Sequence, residues 1–159
     1  MLGERIMKYL AISKTPYYVA YAVFLDKHLI DYGKNYFMQD TPSKRLVELY
    51  NVIDNLIQEF RPQFILTHLI DKERTMKKDL ERIVEVRTIL RLVCENENIL
   101  YNEFKTSGWE KRITDNKPTI ARKLRLINDG YELDIDDIEV ANAIILGEGV
   151  AWNRLHIGE

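Results

Sequence analysis

The stretch KRLVELYNVIDNLIQEFRPQFILTHLID, residues 44–71, constrains this chain most. Its apolar side chains fall at Leu46, Leu49, Tyr50, Ile53, Leu56, Ile57 and Phe60, the spacing that lines one face of an amphipathic helix. Arg61-Pro62 ends that helix, because proline cannot continue it and biases the residue before it toward extended geometry. Residues 64–69 then read as a short apolar strand with Thr67 and His68 set into it. A helix running straight into a buried strand calls for a sheet with helices laid against it.

At 159 residues the chain suits one domain, and the expectation is a single domain over residues 1–159. No apolar run approaches the roughly 20 residues of a membrane span, so no membrane partner is expected. The first residues hold no signal-like apolar block, which makes the cytoplasm the expected location. Cys94 is the one cysteine, which rules out an internal disulfide or a cysteine-based zinc site; its position in a helical segment marks it as a core residue.

The net charge of −2 conceals an asymmetry. Lys105, Lys111, Arg112, Lys117, Arg122, Lys123 and Arg125 face only Glu110 and Asp115, whereas residues 129–139 carry six acids and no base. One end of the domain is therefore expected to be positive and another negative.

In chain order, residues 8–13, 18–25 and 28–37 read as three strands joined by the tight turns Lys14-Thr15-Pro16 and Asp26-Lys27, an antiparallel meander. Thr41 or Ser43 is available to cap the helix that follows. After the strand at 64–69 comes a helix over residues 73–97, apolar on more than one side. Such a helix needs a second cover, and a homodimer through it is expected.

A fifth strand covers 99–104 and a short helix 107–114. A basic helix over 117–128 turns Ile120, Leu124 and Ile127 inward and is closed by Asp129-Gly130. The last helix begins at Asp136, with Ile138, Ala141, Ile145 and Leu146 inward. Its small residues Ala141, Ala143 and Gly147 allow close approach to a sheet. The order β-β-β-α-β-α-β-α-α describes an α/β domain of the ribonuclease-H-like kind, with a mixed five-stranded sheet flanked by helices.

With that order established, the chain resembles the RuvC-type Holliday junction resolvases from about Lys8 to Trp152. The residues that carry the resemblance are the helix opening Arg45-Leu46 with Tyr50 inward, Phe60-Arg61-Pro62-Gln63-Phe64 leading into the central strand, Arg87, Phe104, Lys111, Lys117 and the final-helix run Glu139-Val140-Ala141-Asn142-Ala143. The resemblance implies a nuclease that holds two divalent cations about 4 Å apart on four carboxylates. Matched position by position, those carboxylates fall on Ser13, His68, Glu139 and Asn142, of which only Glu139 is acidic.

The expectation that follows is a RuvC-like protein binding branched or duplex DNA, with metal-dependent cleavage lost or impaired and no cofactor expected. Its phosphate contacts are expected from Lys14, Lys105, Lys111, Arg112, Lys117 and Arg122. Two alternatives stand beside it. One is a structure-selective endonuclease using magnesium or manganese at an altered site on Glu139 and His68, with Asn142. The other is a protein-interaction scaffold using the acidic stretch 132–139.

Residue chemistry also assigns structural roles. Asn142 can bond to Ser13 or His68, Asp134, Asp136 and Asp137 cap the last helix and complement its dipole, and Tyr17, Tyr18 and Tyr21 pack on the sheet.

Overall fold

The computed structural model describes residues 6–69, 75–105, 119–152 and 155. Strands β1 (Lys8–Lys14), β2 (Tyr18–Leu25) and β3 (His28–Tyr36) form the meander. They are followed by α1 (Pro42–Phe60), β4 (Phe64–His68), α2 (Lys77–Asn96), β5 (Leu100–Phe104), α3 (Ile120–Tyr131) and α4 (Ile138–Ala151). The sheet order is β3-β2-β1-β4-β5. Pairing is antiparallel within the meander and parallel from β1 to β4 and from β4 to β5, so the sheet is mixed, as the element order implies. The expected short helix at 107–114 and the start of the basic helix at Lys117 lie outside the described residues.

Strand alternation divides the core into two layers. Leu10, Ile12, Val19, Val23 and Ile65 face α1 and α2, burying Leu49, Ile53, Leu56, Ile57, Leu90 and Val93. Tyr9, Ala11, Ala20, Ala22, Phe24, Phe64 and Leu66 face α3 and α4. On that second face Tyr9 stacks between Phe24 and Phe64, at centroid distances of 5.4 and 4.9 Å.

The small residues of α4 do what their size implies. A Cβ on Gly147 would stand 2.3 Å from Phe24 Cε2, closer than any side chain tolerates, so only glycine lets α4 lie this near the sheet. That closeness brings the polar residues of α4 within bonding reach of β1.

Several local expectations are corrected. Arg61 takes a left-handed conformation (φ 50°) rather than an extended one, because its N–H closes the last turn of α1 onto the Ile57 carbonyl at 2.8 Å. The basic helix runs through Gly130, and Glu132 (φ 56°) closes it. Ile120 is 62 % exposed rather than inward; Lys123 and Ile127 hold the buried face of α3 instead. α4 is buried over most of its circumference, including Val140, Ala143 and Ile144, and it begins at Ile138 rather than Asp136, with Asp137, one of the expected capping acids, accepting from the N–H groups of Glu139 and Val140.

Candidate functional site

Ser13 ends the α4-facing row of β1, and His68 ends the same row of β4 one strand away. Asp137 starts α4 so that Glu139 sits in its first turn and Asn142 one turn later, on the side facing those strand ends. All four positions assigned to the carboxylates therefore meet, although Ser13 and Glu139 are 126 residues apart in sequence.

They meet by bonding to each other. The Ser13 hydroxyl, fully buried, donates to Glu139 Oε2 and lies 3.4 Å from His68 Nε2. Asn142 Nδ2 donates to Glu139 Oε1 at 3.1 Å. His68 Nδ1 is 3.1 Å from the Leu69 carbonyl, which fixes the ring's orientation. Asn142 thus turns to Glu139 rather than to Ser13 or His68. Burial raises the Glu139 carboxyl above its ordinary range, and the bonds from Ser13 and Asn142 together with the charge of Lys123 only partly counter it.

Lys123 is the residue that reading the sequence for site groups overlooks. It is 7 % exposed, and its Nζ donates to Asn142 Oδ1 at 3.0 Å, placing an ammonium in the corner. The signal was present: Lys123 lies four positions before Ile127 and so shares its helix face, yet a lysine in a basic run reads as solvated.

The donor set does not fit a pair of hard divalent cations. Magnesium at two sites needs several anionic oxygens, and among the described residues the four matched positions offer one carboxylate, a serine hydroxyl, an amide and an imidazole beside an ammonium. Among the described residues, no group of three or more His, Cys, Asp or Glu side chains is placed to share a metal ion.

Directly behind this corner, on the α2 side of the sheet, lies a second polar cluster. Lys14 follows Ser13, and strand alternation turns it the other way, to Glu103 Oε2 at 3.0 Å. Lys14 is 2 % exposed, so this expected phosphate contact is instead an interior ion pair. Arg87 holds the same carboxylate with Nε at 2.9 Å and Nη2 at 2.8 Å, and Tyr101 donates to it at 2.7 Å. Burial alone would raise the Glu103 carboxyl, but the Arg87 and Tyr101 bonds and the Lys14 charge pull it down to about 2.

Of the other expected phosphate contacts, Lys105 is exposed immediately after β5, whose Phe104 pairs with His68. Arg122 is exposed on α3, with Arg125 on the same outer surface. Lys111, Arg112 and Lys117 lie outside the described residues. Tyr21 packs on Phe60 and Tyr18 on Tyr36, while Tyr17 is 45 % exposed under Arg82. Cys94 is buried, and burial pushes its thiol up to about 12, which makes it inert. No helix among the described residues is long and apolar enough to cross a membrane.

By sequence, no family model and no curated protein matches the chain. Solved structures do match it. RuvC of Thermus thermophilus in complex with a Holliday junction substrate superposes with a TM-score of 0.74 at 10 % identity, over 93 % of this chain and 96 % of that one. The structure titled Thermus thermophilus RuvC gives the same TM-score at 9 % identity, with the same coverage of both chains. Ydc2, the yeast mitochondrial Holliday junction resolvase, gives 0.69 at 13 % identity, over 94 % of this chain and 78 % of that one. At these identities it is the fold that is shared. The chain has the ribonuclease-H-like fold of the RuvC-type Holliday junction resolvases.

Proposed function

We propose that this protein binds branched or duplex DNA through backbone phosphates, without efficient cleavage that depends on divalent metal. The observation that carries the reading is the corner itself. The four positions matched to metal-holding carboxylates bond to one another and include one carboxylate among them, beside a helix whose outer face presents Arg122 and Arg125. A surface of this kind can neutralise phosphate, whereas its donors are poorly suited to holding the paired cations that would activate water. The match to a RuvC that carries a junction substrate supports DNA as the ligand by analogy of fold.

Binding of a labelled four-way junction and of duplex, titrated with salt against an acidic polymer control, tests the reading. Affinity is expected to fall steeply with salt, and Arg122→Glu with Arg125→Glu is expected to lower it for both DNA forms and to flatten the salt slope. Equal binding of the acidic polymer would defeat DNA recognition and favour the scaffold alternative. Incubating the junction with magnesium, then manganese, tests for cleavage. Cutting that disappears in Glu139→Ala would establish the altered-site nuclease instead.

We further propose a homodimer through α2. Met76, before its first turn, is 75 % exposed, and Val84 and Leu92 along it are 48 % and 47 % exposed, apolar side chains outside the buried face of the helix. Sedimentation of Leu92→Glu against the unchanged protein tests this, with a shift to monomer expected.

A further inference from the structure

The charge of the corner decides how DNA can approach it. A carboxylate near a DNA backbone repels phosphate unless a cation compensates it, and the repulsion is large where water is excluded. Here the compensating cation belongs to the chain. Lys123 Nζ is 3.0 Å from Asn142 Oδ1, and the amide nitrogen of the same Asn142 is 3.1 Å from Glu139 Oε1, so a single amide links ammonium to carboxylate. Lys123 is 7 % exposed and anchored in the fourth position of α3, whose first turn Thr119 caps by accepting from the Arg122 N–H. Ser13 and Asn142 occupy one oxygen of Glu139 each. Among the described residues the Lys123 ammonium thus stands against the Glu139 carboxylate, the nearby Asp137 carboxylate is paired with Lys34 at 2.9 Å, and the other members of the corner are an uncharged hydroxyl, an amide and the His68 ring.

We infer that Lys123 is the resident cation of this corner and takes the electrostatic place of divalent metal, so that the protein engages DNA phosphate without any metal ion. The inference rests on the DNA-binding reading above and adds its cation dependence. It also assigns Lys123 a part different from that of its neighbours. Arg122 and Arg125 project outward toward phosphate, whereas Lys123 makes the surface between them and the strand ends approachable by cancelling Glu139. Lys123 is in this sense a positioning residue, acting on DNA through the charge of the corner.

The test measures junction and duplex affinity in EDTA and in magnesium at matched ionic strength, for the unchanged protein, Lys123→Met and the double variant Lys123→Met/Glu139→Gln. Thermal unfolding of each is followed in the same buffers. The unchanged protein is expected to bind within about twofold in the two buffers and to melt at the same temperature in both, since no ion is released. Lys123→Met is expected to weaken binding roughly tenfold in EDTA, the scale of one uncompensated charge near the backbone. The double variant, with neither charge, is expected to recover most of that loss. A role confined to packing would leave the double variant as weak as the single one, and that result would overturn the inference. Binding by the unchanged protein that appears only with magnesium would also overturn it while leaving DNA binding intact. Absence of binding in both buffers would instead defeat the DNA-binding reading on which it rests.

Discussion

Two polar clusters stand back to back at one end of the sheet, and each is built around one carboxylate. On the α4 side Glu139 is held by a hydroxyl and an amide, with its cation one residue removed. On the α2 side Glu103 is touched directly by Lys14 and Arg87 and by the Tyr101 hydroxyl. Burial penalises both carboxylates, yet Glu103 is driven below its ordinary range and Glu139 is driven above it. Neutral donors do not offset the cost of burying a charge, whereas direct contact with cations does. The α2-side cluster is an ion-pair staple joining β1, β5 and α2. The α4-side cluster keeps its carboxylate in a less settled state, next to the surface proposed to meet DNA.

The comparison can be broken most forcefully at Glu103. Glu103→Ala leaves the Lys14 ammonium, whose side chain is 1 % exposed, without its acid, and a loss of about 3–5 kcal/mol in stability is expected by chemical denaturation. Adding Lys14→Met should recover most of it, because the uncompensated charge is then gone. A loss below about 1 kcal/mol for Glu103→Ala would show that the staple contributes little.

On the other face, Lys123→Met is expected to cost about 1–3 kcal/mol, since Asn142 Oδ1 loses its donor in a buried setting. Ser13→Ala should cost less, about 1 kcal/mol, and should raise the Glu139 carboxyl further, because the hydroxyl bond is among the influences that lower it. Carboxyl carbon shifts followed by NMR over a pH series would show the change.

Acid separates the two clusters by sign. The folded value for Glu103 lies near 2, below the ordinary 4.5, so its stabilisation is complete above about pH 4.5 and is lost as the pH falls from there toward 2. Glu139 has its folded value raised, so its contribution improves as the pH falls through that raised value. Unfolding midpoints in urea are therefore expected to fall less between about pH 4.5 and 2 in Glu103→Gln than in the unchanged protein, whereas Glu139→Gln is expected to lose the gain that the unchanged protein makes as the pH falls from the raised Glu139 value toward 4.5. Parallel curves for the two variants would contradict the assignment.

Much of the architecture could be read from local pattern. The apolar row of α1 from Leu49 to Ile57 is buried as its spacing implies, β2 has the expected ends, and Gly147 marks the close approach of α4. The errors arose where one residue's neighbours in space outweighed its neighbours in sequence. Periodicity points Ile120 inward, but the buried face of α3 is centred on Lys123 and Ile127. Lys14, read along the chain, belongs to the turn Lys14-Thr15-Pro16 and to the basic residues available for phosphate. The ladder continues through Lys14, opposite Val19, and alternation then sends its side chain to the far face.

The sequence by itself determined the order of the elements, the face on which most residues lie, and the placing of Ser13, His68, Glu139 and Asn142 at one corner. These follow from periods of 2 and 3.6 and from the spacing of a resemblance, all of which act along the chain. Only the tertiary structure decided which cation answers which carboxylate. Lys14 reaches Glu103 across 89 positions, and Lys123 reaches the corner from a different helix through Asn142. Such pairings depend on how closely whole elements pack, and the energy of a buried charge turns on a few ångströms that local pattern does not encode.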